Sequence, residues 1–170
     1  MKTTLFMAVS INGYVAGQND DTDWVKDTAL LAQIIKEYGA CVMGRRTYDI
    51  CLHYNDFPFK GATNVVMTHD KKLIEKSTQT EIFTDKGASE IAKIIENQDI
   101  NQMIVLGGGN INGQFLAAGL INEIIIDIHP IILDTGTKLF GDVFPRANLE
   151  LLESKVLTDG MVQNRYKVLE

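Results

Sequence analysis

The apolar positions of the chain fall into short runs separated by stretches of helical period. Thr4 to Val9 is the first apolar run and predicts a strand, with Asn12-Gly13 as a turn signal ahead of the polar stretch Gln18 to Asp23. From Asp27 to Tyr38 the residues Leu30, Leu31, Ile34, Ile35 and Tyr38 recur on one helical face, and Gly39 supplies the stop. Ala40 to Met43 predicts a buried strand, and Gly44 releases the chain into Arg45 to Asp49, a composition suited to a short helix. Asn64 to Thr68 predicts a strand followed by the polar segment His69 to Lys76, and Ile82 to Thr84 predicts another. Ala88, Ile91, Ala92 and Ile95 draw a second helical face. Met103 to Leu106 is a strand ending in Gly107-Gly108-Gly109, and Ile111, Phe115 and Leu116 mark a helix that Gly119 closes. Glu123 to Ile132, the most apolar stretch, predicts a long central strand. Leu149 to Thr158 and Met161 to Leu169 alternate around Asp159-Gly160, a hairpin signal. Strands alternating with helices and closing on a hairpin predict an α/β fold: a mostly parallel central sheet flanked by helices, with a C-terminal antiparallel hairpin.

Composition narrows the function. The 170 residues suit a single domain over residues 1–170, without linker, repeat or low-complexity segment. Hydrophobic residues at 45% and charged residues at 22% exclude a disordered, collagen-like or coiled-coil chain. Sixteen Lys and Arg against 22 Asp and Glu give a net charge of −6, which repels duplex nucleic acid and anionic membrane and leaves a small molecule as the expected partner. Apolar runs such as Ile124 to Ile126 are far short of the ~20 residues that span a bilayer. The first apolar run leads into Ser10-Ile11-Asn12-Gly13 without a small-residue cleavage site, and Cys41 and Cys51 stand in no CxxC pattern. Reduced thiols in a cytoplasm are expected. His53 and His129 lie in no metal-binding pattern, so no metal is expected, and no Ser or Cys sits in a nucleophile motif.

Candidate chemistry gathers where strands end. Gly107-Gly108-Gly109-Asn110-Ile111 follows a strand and opens a helix, an arrangement whose backbone N–H groups hold a phosphate. It is neither the G-x-G-x-x-G fingerprint, since Asn112 takes the last glycine's place, nor a Walker loop, since Gln114 stands where the Lys belongs. A packing turn needs one or two glycines; three in a row exceed that. Gly44-Arg45-Arg46-Thr47 places two guanidinium groups and a hydroxyl at another strand end, suited to gripping phosphate, with surface salt bridges as the alternative. Thr68-His69 forms a third such end, or an ordinary polar turn. Among Asp20, Asp21, Asp23 and Asp27, a carboxylic acid would donate a proton to a substrate nitrogen; helix capping and solvation are the alternative. Tyr14 and Trp24 would stack on a planar substrate or anchor the loop in the core.

In order along the chain, Val42-Met43-Gly44-Arg45-Arg46-Thr47-Tyr48, Val65-Val66-Met67-Thr68 and Ile104 to Leu116 resemble the dihydrofolate reductase fold family. Ser10 to Ala16, and Pro130-Ile131-Ile132 followed by Gly136-Thr137-Lys138-Leu139-Phe140, resemble the branch containing the reductase domain of riboflavin biosynthesis. The resemblance covers nearly the whole chain and implies NADPH as hydride donor to a small pteridine- or pyrimidine-like heterocycle, or another imine or carbonyl substrate. It implies nicotinamide contacts at Ala8 and Val15, and contacts to the 2′-phosphate and pyrophosphate at Gly44, Arg45, Arg46, Thr47, Thr68 and His69. Gly107, Gly108, Gly109, Asn110 and Ile111 match the turn and helix start under the pyrophosphate. Asn12 stands where this branch commonly shows Asp, and the folate enzymes' acid has no secure counterpart, which leaves Asp23, Asp27 or water for proton delivery. A homodimer is expected by family analogy. The rival reading is a nucleotide-binding or interaction protein that kept the pocket and lost its proton donor.

Overall fold

The computed structural model describes residues 1–26, 29–142 and 144–169. Its strands are β1 (Lys2–Ser10), β2 (Tyr14–Ala16), β3 (Ala40–Gly44), β4 (Thr63–Met67), β5 (Glu81–Thr84), β6 (Gln102–Val105), β7 (Glu123–His129), β8 (Thr137–Lys138), β9 (Asn148–Val156) and β10 (Val162–Leu169). The helices are α1 (Ala29–Tyr38), α2 (Arg45–Cys51), α3 (Lys71–Ile74), α4 (Ala88–Glu96) and α5 (Gly109–Ala117). None of the described helices is long and apolar enough to cross a membrane.

Eight strands form one sheet in the order β5-β4-β3-β6-β1-β7-β10-β9. All pairings from β5 to β7 are parallel, and β10 runs antiparallel to both β7 and β9. The parallel strands are covered on both faces, which is why they read as continuous apolar runs. Alternation along β3 shows it: Ala40 and Val42 pack with Ile91, Ile95 and Phe115 of α4 and α5, while Cys41 and Met43 face Ile35 of α1 and Cys51 of α2. The hairpin follows a different rule. Every residue of β9 is exposed, including Leu149, Leu151, Leu152 and Val156, and the strand is the sheet's edge.

Three details depart from the sequence expectation. β7 stops at His129 instead of running to Ile132, because Pro130 has no N–H with which to extend the ladder. The polar segment after β4 holds the short helix α3, whose cap is the Asp70 side chain accepting from the Lys72 N–H at 3.0 Å. Tyr14–Ala16 pairs with Thr137–Lys138 as a small second sheet, tying the loop after β1 to the loop after β7.

Candidate functional site

The ends of β3 and β6 are stitched together where both chains turn: the Gly44 N–H donates to the Gly107 carbonyl at 2.7 Å. Above this seam lies a cleft of about 1110 Å³ at the carboxyl ends of the parallel strands, the usual ligand position in an open α/β sheet. One half is walled by the turns after β3, β4, β5 and β6. The other half is floored by β1, β7 and β10 and bounded by loop residues Asp20, Thr22, Val25 and Lys26.

The first half brings together most of the residues marked for cofactor. Gly44, Arg45, Arg46 and Thr47 line it, as do Thr68 and His69, and Gly108, Asn110 and Ile111 enter from the start of α5. Ala8 and Val15 line the cleft where its halves meet. Gly107 and Gly109 are not part of the lining, and the molecule's own packing accounts for both. Gly107 has φ of +83°, and a Cβ there would approach the Met7 sulfur to 2.9 Å; a Cβ on Gly109 would come 2.0 Å from the Lys138 carbonyl oxygen. Gly108 differs, since the nearest atom to a Cβ there would be the Thr47 hydroxyl at 3.8 Å, on the cleft side. As the N-cap of α5 it offers no side chain, so the first-turn N–H groups face the cleft uncapped.

The two arginines are held by carboxylates. Arg45 Nε donates to Asp49 at 2.9 Å and its Nη1 to Asp70 at 3.2 Å, and the hydrogen bond to Asp49 pushes the already basic guanidinium further up. Arg46 Nη1 donates to Asp20 at 3.1 Å, linking α2 to the loop across the cleft. Asp85 and Lys86, after β5, line the same half and carried no sequence signal beyond being polar.

Of the two acids marked for proton delivery, Asp23 is exposed and outside the cleft lining, and Asp27 lies outside the described residues. Trp24 anchors the loop: its indole N–H donates to the Asp21 carbonyl at 3.2 Å and its ring meets His129 edge-on at 5.2 Å. His129 is buried, accepts from the Lys26 N–H at Nε2 (3.2 Å) and stands 3.0 Å from the Asp127 carbonyl at Nδ1. Accepting at Nε2 leaves the proton on Nδ1, the tautomer of a neutral ring that fixes the loop. Tyr14 is in the β2–β8 pair. Cys51 borders the cleft, but burial pushes its thiol to about 12, and burial drives Cys41 higher still, so neither is a thiolate at neutral pH.

The sequence reading missed Asp127, Gln163 and Lys155, which line the second half of the cleft. One signal was present, because Asp127 is a carboxylate set between isoleucines, Ile124 to Ile126 before it and Ile128 after it. Gln163 Nε2 donates to its Oδ1 at 2.7 Å.

A family model described as the RibD C-terminal domain matches residues 1–163. An uncharacterised protein of Bacillus subtilis, YyaP, is 28% identical over 95% of this chain and 92% of its own. The crystal structure of a putative riboflavin biosynthesis protein from Shewanella superposes with a TM-score of 0.80 at 26% identity, covering 100% of both chains. A Thermotoga maritima diaminohydroxyphosphoribosylaminopyrimidine deaminase/5-amino-6-(5-phosphoribosylamino)uracil reductase shares the fold, with a TM-score of 0.74 at 15% identity over 99% of this chain and 56% of that one.

Proposed function

The chain belongs to the RibD C-terminal domain family, and on that premise we propose that it is an NADPH-dependent reductase of a small pteridine- or pyrimidine-like heterocycle, acting at a C=N or C=O carbon. One observation carries the reading: four strand-end turns converge on a single cleft whose first half offers α5 N–H groups, two arginines, Thr47, Thr68 and His69. That donor set matches the pyrophosphate and 2′-phosphate of NADPH. The cleft volume of about 1110 Å³ exceeds the usual range for one small ligand and suits a dinucleotide with a second ring beside it.

NADPH, when bound, supplies a hydride equivalent. The chain's own residues do the rest. Gly108 lets a phosphate approach the start of α5, where uncapped N–H groups and the helix dipole favour negative charge. Ala8 and Val15 present a small apolar surface between the halves, which keeps water from the carbon receiving hydride. His129 holds the Lys26 backbone and, with Trp24, keeps the loop over the second half. The proton that balances the hydride goes to the substrate nitrogen or oxygen from Asp27 or from water, since Asp23 lies outside the cleft.

The test is a titration with NADPH and NADH, followed by NADPH consumption measured at 340 nm, the reduced nicotinamide band, against a panel of pteridines, pyrimidines and quinones. Tighter binding of NADPH and turnover of a panel member are expected. Binding without turnover of any member would mark a nucleotide-binding protein instead, and absence of NADPH binding would remove the proposal. The homodimer belongs to the same reading, and the exposed edge strand β9 supports it.

A further inference from the structure

Four side chains stand in line across the sheet under the second half of the cleft. Ala8 of β1 is opposite Asp127 of β7, Asp127 is opposite Gln163 of β10, and Gln163 is opposite Lys155 of β9. Residues paired in this way project from the same face with Cβ atoms roughly 5 Å apart, and all four line the cleft. The row therefore passes from a small apolar group to a carboxylate, an amide and an ammonium at successive strands.

Asp127 is expensive to keep. Asp127 is half-buried on an otherwise isoleucine-rich strand, with Ile125 beside it on the same face, and a carboxylate there loses hydration unless polar groups replace it. Gln163 does part of this with its 2.7 Å hydrogen bond, which also fixes the direction of the carboxylate. The neighbouring cation on the same face of β10, Arg165, is bound to Glu123 at 2.7 Å one row below the next. A Gln amide has two N–H groups, and only one is used on Asp127. The pair thus presents an acceptor and, one strand away, a donor, both rigid and both directed by the sheet.

We propose that Asp127 and Gln163 form the edge that recognises the substrate, and that they select a planar heterocycle carrying a lactam, with Asp127 accepting from the ring N–H and Gln163 donating to the adjoining carbonyl. A ligand that extends past Gln163 meets the Lys155 ammonium. The inference rests on the reductase reading for its assignment to substrate, and adds the residues and the bonding pattern by which substrate is chosen. Asp127 contacts the ligand; Gln163 both contacts it and positions the carboxylate.

The probes are the fluorescent pteridinedione lumazine and its N,N-dimethyl derivative, which keeps both carbonyls and lacks the N–H groups. Each is titrated into the full-length protein, wild type and variant, with thermal melting to verify the fold. Wild type is expected to bind lumazine about tenfold or more tightly than the dimethyl derivative, the size of one charge-assisted hydrogen bond. Asp127→Asn should weaken lumazine about tenfold and shift the dimethyl derivative by less than about twofold, and Gln163→Met should weaken lumazine by roughly threefold or more. Should Asp127→Asn fail to fold, Gln163→Met decides. Equal binding of the two probes to wild type, no detectable lumazine binding, or parallel loss of both probes in the variants overturns the proposal. NADPH is titrated separately into the same samples. Failure of NADPH to bind removes the reductase reading and leaves the lumazine discrimination to stand or fall alone.

Discussion

Arg45 illustrates how a residue can match a ligand and still be committed to the protein. Its guanidinium bridges Asp49 and Asp70, and it lies 5.9 Å from the centre of the Tyr48 ring. A 2′-phosphate arriving there would share the guanidinium with two carboxylates, so it meets repulsion as well as attraction. Two substitutions separate these effects. Arg45→Ala should weaken NADPH by roughly tenfold or more, the size of one charge-assisted hydrogen bond, and leave NADH within about twofold. Asp70→Asn should strengthen NADPH by about threefold while preserving α3, because Asn caps a helix as well as Asp does. Calorimetric titration of both coenzymes measures this. Equal weakening of NADPH and NADH by Arg45→Ala would assign the arginine to the part that the coenzymes share. Asn64 is the buried counterpart. Its amide donates to the Phe59 and Ala62 carbonyls and accepts from the Phe59 N–H, so the loop entering β4 is held by one side chain.

At the level of elements, Glu123 joins three strands. It sits at the start of β7, with Lys2 of β1 at 2.8 Å and Arg165 of β10 at 2.7 Å. Burial pushes its carboxyl up, but hydrogen bonds from Lys2 and Arg165, reinforced by their charges, outweigh this and hold it below its ordinary value. A carboxylate depressed on folding stabilises the native state above its unfolded value, near 4.3, and that contribution is lost as pH falls through the folded value. Glu123→Gln should therefore cost about 1–2 kcal/mol at pH 7, a figure reduced because both cations are more than a third exposed. Urea unfolding at pH 7 and at pH 3 should show the gap between wild type and variant closing in acid. A gap of equal size at both would assign the loss to shape instead of charge. The same scale shows what the sequence made legible. The parallel strands and α4 follow from apolar runs and a helical period that neighbouring residues carry by themselves. α3 has four residues, too few to show a period, and β2 and β8 exist only because residues more than a hundred positions apart meet. The site divides in the same way. The half walled by the turns after β3, β4, β5 and β6 is written largely in short strand-end motifs. Asp127, Gln163 and Lys155 lie on three separate strands and become neighbours only through sheet register.

For the whole molecule, β9 is the outstanding surface. An edge strand with exposed Leu149, Leu151, Leu152 and Val156 offers unpaired backbone groups beside apolar side chains, a combination that invites a second chain. Light scattering at micromolar concentration should give about twice 18.9 kDa, and Leu149→Lys combined with Leu151→Lys, both outside the cleft lining, should return the mass to 18.9 kDa with NADPH binding retained. A wild-type mass of 18.9 kDa at that concentration would sink the homodimer. The position of β1 has a different consequence. It is the first strand of the chain and lies inside the sheet, between β6 and β7, so Lys2 waits for Gln102 and Thr4 for Glu123. During synthesis the ribosome must release about ninety further residues before the first strand acquires even one of its neighbours. The sheet's middle is thus completed late, by contacts of long sequence separation, which slows folding and leaves an apolar strand seeking partners in the growing chain. Such a protein gains its architecture nearly all at once, and a nascent chain stalled before residue 102 would be a client for chaperones instead of a partly folded domain.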